Sequence, residues 1–472
     1  MGSKPPIRVR ARSARTLTLG AAGTSVLAVA VAVAGPSWTA CTTHQCDTLF
    51  ITWNKGEMVG PDTYETSALN ADWIDYPGLE TVHVEFPPVN GRAPVAIAAY
   101  VGNGVSPNGG PDYQPGDEWS AASGLLAIYG GTDSSGFYVT NGSCAQYYAR
   151  FVVTFAPEAV TLFGGVGPGS DGGTATFDDT WTWANGGWTA QAFAPDAGAP
   201  ARALATFVSL PTATFLFGGT VGPLDDNDTS YLLDTRTWDG VAWSPIGFPD
   251  FPTSYPSGRA DAASAALNGR LVMFGGHGVD GSGAVADLGD TWTWDGKVGD
   301  AWVKPSNGAG GSSPPPRSGA SAATLNGNVV LFGGCSDQTA AGCASGAVLG
   351  DTWLWNGSSW TQLSVSGPSP RFHAAATSVG SAVLLFGGDS GSGDLGDTWL
   401  WDGTTWTPLA IPGPSARSEA AMATLDGTAV LFGGSSDDGA PLADTWTWTT
   451  GTWTQQNVAG PSPRAGAAAA GP

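Results

Sequence analysis

The sequence is poor in charged residues, and poorest in basic ones. Only 12% of its 472 residues are charged, and 18 Lys and Arg stand against 40 Asp and Glu, for a net charge of −22. A chain this acidic lacks the basic surface by which proteins hold phosphate backbones and anionic lipid headgroups. The composition therefore excludes nucleic acid as an expected partner, and it confines any expected membrane contact to an N-terminal lipid or segment.

The first 40 residues combine a basic segment with an uncharged run rich in Ala and Val, from Thr16 to Ala34. This order is typical of an export signal. Trp38-Thr39-Ala40-Cys41 follows and resembles the lipobox of bacterial lipoproteins, although Trp38 stands where Leu is usual. Lipidation of Cys41 is our first expectation, and cleavage after Ala32-Val33-Ala34 is the second. An uncleaved anchor is the third, because a membrane span needs about 20 apolar residues.

Cysteine and histidine are scarce, with five and four residues. Lipidation of Cys41 would leave Cys46 and Cys144 in one region and Cys335 and Cys343 in one loop, and we expect each pair to form a disulfide in an oxidising compartment. Pairing of Cys41 with Cys46 or Cys144 would instead rule out lipidation. A metal site competes with the disulfides, but neither half has a His or a second Cys pair at ligand spacing. We therefore expect no metal and no resident cofactor.

Glycine, in contrast, is abundant and marks an internal repeat. Double glycines end a series of apolar runs and recur 46 to 58 residues apart. That period is typical of propeller blades. The double glycines are Gly164-Gly165, Gly218-Gly219, Gly275-Gly276, Gly333-Gly334, Gly387-Gly388 and Gly433-Gly434.

Each repeat predicts four strands. In the unit from Arg371 to Arg417 they are Phe372 to Val379, Ala382 to Phe386, Asp397 to Trp401 and a fourth that begins at Trp406. Turn pairs such as Asn326-Gly327 favour tight hairpins, and helical periodicity is missing. The double glycine is expected to supply positive φ at a sharp exit from a buried strand. Paired tryptophans such as Trp355 and Trp360 are expected to fill the space between blades.

The repeat unit also carries Asp-Thr-Trp, a second spaced Trp, and a Pro-x-Arg or Pro-Arg that opens the next unit. With these motifs the block from about residue 159 to the C-terminus resembles bacterial kelch repeats, which form β-propellers. The second copy departs from the pattern at Asp234-Thr235-Arg236, so we expect its blade to be the least regular. The inner-strand sequence Arg464 to Ala468 should complete the first blade and close the ring.

We therefore expect an all-β chain in three parts. Residues 1–40 are the export segment, residues 41–157 form a small β-sandwich-like module, and residues 158–472 form a six-bladed kelch-like β-propeller closed by the C-terminal strand. Leu125 to Gly131 resembles a further strand that ends in a double glycine, which would suggest a seventh blade, but it lacks the motifs that should follow it. The strands expected in the module are Leu49 to Trp53, Thr81 to Phe86, Val95 to Val101, Leu125 to Tyr129 and Tyr147 to Phe155.

Six arginines open the innermost strands, and six aspartates open the third strands at the same face. The arginines are Arg202, Arg259, Arg317, Arg371, Arg417 and Arg464, and the aspartates are Asp179, Asp234, Asp290, Asp351, Asp397 and Asp444. One interpretation is a ring of guanidinium groups that receives a carboxylate or sulfate. The interpretation we favour is structural, in which each Arg pairs with a repeated Asp or with loop carbonyls, because both recur even in the degenerate copy.

Other polar residues carry weaker signals. Asp225-Asp226-Asn227-Asp228 could help bind Ca²⁺, but its spacing is not that of an EF-hand. His277 follows a double glycine in a loop expected to be exposed, and His373 lies in an inner strand. Each His stands alone in the sequence, so we expect both to be structural or solvated.

The loops between strands two and three lie on one face of the predicted propeller, with the connections between blades. The longer ones differ in sequence and are Val166 to Phe177, Thr220 to Leu232, His277 to Asp287, Cys335 to Leu349 and Asp389 to Leu395. Variable loops on a repeated scaffold are the usual place for recognition. We expect a monomeric, non-catalytic binding or scaffold protein of the cell envelope or exterior that recognises a protein or a polysaccharide through this face.

The alternative is a propeller hydrolase or oxidase that acts on glycans, and a third hypothesis is a purely structural envelope component. Galactose oxidase is similar in using kelch blades, but the sequence context of its copper site is missing here. A glycosidase would need two distinguished carboxylates, and the repeats contain only Glu158, at their boundary, and Glu419 as glutamates. We therefore expect no catalytic residues.

Overall fold

The computed structural model describes residues 158–472 apart from 194–196, 212, 223–229, 248–254, 298–301, 306–311 and 340–341. Before residue 158 it describes the strands named below together with Gly56 and Thr66. Cys41, Cys46, Cys144 and Asp225–Asp228 lie outside the described residues, as does the export segment except for Leu17–Thr18. Within the described residues, no helix is long and apolar enough to cross a membrane.

The chain divides into two compact units, Met1–Pro157 and Glu158–Pro472. The described strands of the first unit form two sheets. One has the order Leu17–Thr18, Pro94–Asn103, Tyr147–Phe155, Thr63–Glu65 and Glu57–Gly60, and Ile74–Tyr76 also pairs with Tyr147–Phe155. The other has the order Phe50–Trp53, Thr81–Glu85, Gly136–Asn141 and Leu126–Tyr129. All five predicted strands are present, and Leu126–Tyr129 belongs to this unit rather than to a seventh blade.

The described residues of the second unit form six larger sheets, which we number as blades in chain order. From the innermost strand outward, blade 1 is Ala468–Ala470, Val160–Phe163, Thr180–Ala184 and Gly187–Gln191, and blade 2 is Thr206–Leu210, Ala213–Phe217, Thr235–Trp238 and Trp243–Ile246. Blade 3 is Ala263–Leu267, Arg270–Phe274 and Thr291–Trp294, and blade 4 is Ser321–Leu325, Asn328–Cys335, Val348–Trp355 and Trp360–Leu363. Blade 5 is Ala375–Val379, Ala382–Phe386, Thr398–Trp401 and Trp406–Leu409, and blade 6 is Ala421–Leu425, Thr428–Phe432, Thr445–Thr449 and Thr452–Gln456.

Short strands also form within the loops that connect the second and third strands of the blades. Val166–Pro168 pairs with Thr174–Thr176, and Gln338–Thr339 pairs with Gly342–Cys343. His277–Val279 lies between Arg259–Ala260 and Val285–Asp287 in a three-stranded sheet. These loops therefore have structure of their own above the blades.

The C-terminal strand closes the ring. Ala468–Ala470 pairs antiparallel with Val160–Phe163, so the first blade contains both ends of this unit. The innermost strand of each blade contacts the innermost strands of both neighbours, and the sequence of contacts returns to its start. The all-β propeller fold predicted from the repeat is confirmed.

The irregular blade is not the predicted one. Blade 2 is a complete four-stranded sheet despite Asp234-Thr235-Arg236. In the described residues, which leave out 298–301 and 306–311, blade 3 has three strands, and Val303 at its fourth position forms a bridge with Thr293. The expectation of an irregular second blade was wrong, because Arg236 makes a hydrogen bond that replaces the one made by Trp in the other blades, as shown below.

Tryptophans join neighbouring blades as predicted. In blade 4, Trp355 and Trp360 pack with Phe274 of blade 3 in one buried cluster. The indole N–H of Trp360 also donates a hydrogen bond of 2.9 Å to Thr291 Oγ1 of that blade. Equivalent bonds across blade boundaries are Trp188 to Thr445, Trp243 to Thr180, Trp406 to Thr352 and Trp453 to Thr398. The Thr of Asp-Thr-Trp is thus the acceptor for the next blade.

The double glycine has the backbone role predicted for it. Gly387 and Gly388 have φ values of 68° and 98°, in the left-handed region that favours glycine. A Cβ atom on Gly387 would lie 2.5 Å from the carbonyl oxygen of Arg417, which opens the next blade. The chain therefore passes close beneath the start of the neighbouring inner strand, where only glycine fits.

Candidate functional site

Each of the six predicted arginines lies buried beside a predicted aspartate of its own blade. Arg371 is 1% exposed, and its two terminal nitrogens donate to both carboxylate oxygens of Asp397 at 2.6 and 3.0 Å. Its remaining N–H groups donate to Gly387 O, Ser369 O and Ser369 Oγ. The other pairs are Arg202 with Asp234, Arg259 with Asp290, Arg317 with Asp351, Arg417 with Asp444 and Arg464 with Asp179.

The arginines of these pairs lie in the interior, where each of the six is only 1–2% exposed. All five N–H donors of Arg371 are engaged by its own blade, so the ring of arginines does not present itself to a carboxylate or sulfate ligand. Burial favours a raised pKa for Asp290, but the hydrogen bonds and charge of Arg259 outweigh it and hold that pKa at about 2. The arginines and aspartates are therefore a repeated support for the loop-bearing face.

The aspartate also receives the indole N–H of the Trp two residues later. The distance from Trp399 Nε1 to Asp397 Oδ2 is 2.6 Å. In blade 2, where Trp is replaced, Arg236 Nε donates to Asp234 Oδ2 at 2.8 Å instead. The repeat therefore requires a donor at this position rather than a particular residue.

The residues two positions after the arginines form a second ring, around the propeller axis. Each has a φ between 54° and 63°, and each donates its backbone N–H to the carbonyl of its counterpart in the preceding blade at 2.8 to 3.0 Å. The ring closes on itself, and an Ala follows every member. The members are Leu204, Asp261, Gly319, His373, Glu419 and Gly466. With the alanines they line a cavity of about 150 Å³, which we call the axial cavity.

Three charged side chains meet in the axial cavity. The distance from His373 Nε2 to Asp261 Oδ2 is 2.7 Å, and that from His373 Nδ1 to Glu419 Oε1 is 3.4 Å. The imidazole passes over Gly319, where a Cβ atom would lie 2.7 Å from His373 Cδ2. Burial opposes the charged imidazole, but Asp261 and then Glu419 overcome it and raise the pKa of His373 to about 9. The cavity thus holds an imidazolium between two carboxylates.

The expectation that His373 stands alone was wrong, and Glu419 and Asp261 were missed. Asp261 lies 112 residues before His373 in the chain. The available signal was the position they share, two residues after the repeated Arg and directly before a repeated Ala. Every blade places that position at the axis, so charged residues in different blades meet there.

His277 is also buried rather than exposed. It is 3% exposed, and its Nδ1 lies 2.9 Å from Asp287 Oδ1. Asp287 Oδ2 in turn accepts the backbone N–H of Gln338 at 2.8 Å. Gln338 lies in the loop closed by the disulfide between Cys335 and Cys343, which is present as predicted. The expectation of an exposed loop at His277 was wrong, and of the two roles expected for this residue the structural one fits, because the loop folds back as a strand and ties two blades together.

Neighbouring loops contact each other across the loop face. Thr176 Oγ1 donates to Val221 O between blades 1 and 2, and Asp394 N donates to Asp437 Oδ1 between blades 5 and 6. Burial, followed by the charges of Asp389, Asp437 and Glu419, raises the pKa of Asp394 to about 6. The loops of blades 5 and 6 therefore add negative charge beside the axial cavity.

The opposite face carries only tight turns where the structure describes it. Antiparallel pairing places the turns between strands one and two and between strands three and four there. Asn326 and Asp426 adopt positive φ in two such turns, each followed by glycine. In the described part of the chain, no group of three or more His, Cys, Asp or Glu is arranged to hold a metal ion. The loop face with the axial cavity is therefore the candidate functional site.

Comparison with known proteins gives one matching family. The model of the KLHDC2/KLHL20/DRC7 Kelch-repeats domain matches residues 151–356 and 347–471. The two matched segments together span the propeller and about two thirds of the chain.

Several curated proteins are similar over part of this region. The chain is 33% identical over 150 residues to the flagellar outer arm dynein alpha chain of Chlamydomonas reinhardtii, which covers 31% of the chain and 3% of the dynein. It is 30% identical over 203 residues to Adagio-like protein 1 of Oryza sativa, and the aligned region covers 41% of the chain and 29% of the rice protein. It is 28% identical over 197 residues to human Kelch domain-containing protein 1, which covers 37% and 46%. The chain spans less than half the length of each of these relatives.

Proposed function

Because the chain belongs to the KLHDC2/KLHL20/DRC7 kelch-repeat family, whose domains generally mediate binding between proteins, we propose that its propeller is a non-catalytic protein-interaction module. The observation that carries this proposal is the loop face itself. Loops of different sequence contact one another there above a scaffold whose other parts repeat. Differences concentrated on one face of a regular scaffold are what selective recognition requires.

The chemistry of the described loop face favours a protein over a polysaccharide. The large hydrophobic residues most exposed in the described part of the chain are Val and Leu, with no aromatic ring among them. Aromatic rings in that part of the chain are at most partly exposed, as Phe177 and Trp399 are, so it lacks a fully exposed aromatic platform for a sugar ring. The face instead offers backbone groups, hydroxyls and carboxylates, which suit hydrogen bonds and ion pairs with a polypeptide.

We also propose that the protein works outside the cytoplasm. The N-terminal sequence supports export, and the Cys335–Cys343 disulfide suits an oxidising compartment.

Site-specific photo-crosslinking of the full chain in its native cells tests the interaction face. A benzophenone amino acid at Ser392, exposed in the loop of blade 5, should capture a discrete partner protein. The same residue at Ser358, exposed in a tight turn of blade 4 on the opposite face, is the matched control and should not. Equal capture from both positions, or retention of an unaltered polysaccharide with no captured protein, would refute the proposed role.

A further inference from the structure

The axial cavity is where the repeated scaffold carries unrepeated charge. All six blades have Ala as the fourth residue of the motif that begins with the repeated Arg, as in Arg371-Phe372-His373-Ala374. These small residues keep the axis open. From blade 1 to blade 6, the third position carries Gly, Leu, Asp, Gly, His and Glu. Half of the axial positions are therefore titratable, and the three that are titratable lie together.

The ring does not need these charges to close. Its six backbone hydrogen bonds are formed equally by Leu204 and Gly466, which have no polar side chain. The Arg and Asp pairs already fix the start of each inner strand. Burying an ion costs several kcal/mol unless it is compensated. A structural role therefore gives no reason for placing three charges at the axis.

The charged group in the cavity is also unbalanced. His373 donates a hydrogen bond to Asp261, but it lies 3.4 Å from Glu419, beyond the usual N–H to oxygen distance. No hydrogen bond from the described residues reaches the Glu419 carboxylate. Burial raises the pKa of Glu419, and His373 offsets this only in part. The Glu419 side chain remains 29% exposed, so its open side faces a possible ligand.

The charge of the site selects the class of ligand. An anion would meet two carboxylates in the cavity and further aspartates in the adjacent loops. A divalent metal would need oxygen ligands beyond the two carboxylates, one of which is held by the imidazolium. An ammonium or guanidinium group supplies both the missing donors and the missing positive charge. The cavity volume of about 150 Å³ admits such a head group above the alanines.

We propose that the axial cavity binds the ammonium or guanidinium group of a Lys or Arg side chain that the partner protein presents. This inference rests on the interaction role proposed above, and it adds the chemistry that the partner must carry. Glu419 accepts the new hydrogen bonds, and Asp261 holds His373 in place beside them.

The first test uses small probes and the full chain. N-acetyl-lysine methylamide and N-acetyl-arginine methylamide are titrated against the His373 ring signals in NMR spectra, with N-acetyl-norleucine methylamide as the uncharged probe. Both cations should shift the signals, and norleucine should not. Glu419→Gln should weaken cation binding at least about tenfold, since it removes a charged acceptor. Asp426→Asn removes the same charge from an exposed turn on the opposite face and should leave binding unchanged.

If the Glu419 variant folds poorly, Asp261→Asn removes the other carboxylate charge of the cavity and serves as the second test. Absence of cation binding, equal binding of the norleucine probe, or full binding by a folded Glu419→Gln protein would overturn the inference. The photo-crosslink from Ser392 separates this failure from failure of the interaction role. If the partner is still captured at full yield by Glu419→Gln, the interaction role stands and the cation site falls.

Discussion

Arg464 and Asp179 form the ion pair that joins the two ends of the propeller, and Arg464→Met should show what closure contributes. The two residues lie 285 positions apart, whereas Arg317 and Asp351 in blade 4 lie 34 apart. Both pairs have the same bidentate geometry and both arginines are 1% exposed. Arg317→Met is therefore the control, because it removes the same bidentate ion pair and the equivalent bonds to two carbonyls without touching the closing strand, whereas Arg464 in addition donates to Ser462 Oγ and packs on Phe177.

The expected cost follows from what the substitution leaves behind. Removal of one partner from a buried ion pair costs about 3–5 kcal/mol. Asp179 is 37% exposed and keeps its hydrogen bond from Trp181, so water compensates part of its charge. Gly164 O and Ser462 O lose their donor as well. We expect about 3 kcal/mol for either variant, which is a fall in Tm of about 6–12 °C at about 2–4 °C per kcal/mol.

The two variants should differ in which amides lose their protection from hydrogen exchange. Arg464→Met removes the ion pair at the start of the closing segment and leaves the strand Ala468–Ala470 with its pairing to Val160–Phe163 and its contacts with the neighbouring inner strands, so hydrogen exchange should accelerate in both paired strands. In Arg317→Met those amides should stay protected. Adding Asp179→Asn to Arg464→Met should recover part of the loss, because the unpaired charge disappears. A change in Tm below about 2 °C, or equal exchange in the two variants, would refute the reasoning.

Three further predictions concern single groups. The pKa of His373 is about 9 in the folded chain and 6.5 in the unfolded chain, because Asp261, Glu419 and Asp389 favour the charged imidazole. The ion pairs of His373 therefore stabilise the folded state fully below pH 6.5, and this stabilisation is lost as the pH rises through 9. The difference in Tm between the wild type and His373→Gln should therefore shrink from pH 6 to pH 10, and a constant difference would contradict the assignment. The pKa of Asp290 is about 2 in the folded chain and 3.8 in the unfolded chain, so its ionised form stabilises the folded state above pH 3.8, and this contribution is lost as the pH falls through 2. Asp290→Asn should therefore make Tm less dependent on pH in the acid range, while Asp426→Asn should not. Cys343→Ser opens the short loop closed by the disulfide and should lower the free energy of unfolding by up to about 2–3 kcal/mol. Hydrogen exchange of the Gln338 amide should become faster. Unchanged exchange would mean that the hydrogen bond to Asp287 alone holds that loop.

The structure explains why the sequence predicts the scaffold better than the site. Strands, turns and the Arg and Asp pairs recur in every unit, so each copy reinforces the interpretation of the others. The axial group does not recur, because Asp261, His373 and Glu419 occupy one position in three different blades. Their meeting depends on closure of the ring, which brings residues 112 positions apart to 2.7 Å. His277 was misplaced for a related reason, since the burial of a loop depends on the neighbouring loop.

The two exceptional blades show which sequence changes the repeat tolerates. Blade 2 lacks Trp in its Asp-Thr-Trp motif, yet Arg236 supplies the missing donor to Asp234 and the four strands form. Blade 3 has the full motif, but its paired tryptophans, Trp294 and Trp302, stand eight residues apart instead of the usual five. Among the described residues of this blade, Val303 forms a bridge with Thr293, and Trp302 still stacks on Trp294 with ring centroids 5.6 Å apart. The repeat therefore tolerates the exchange of Trp for Arg236, because Arg236 makes the same hydrogen bond to the aspartate, and it keeps the second Trp against the first even where the connection between them is three residues longer.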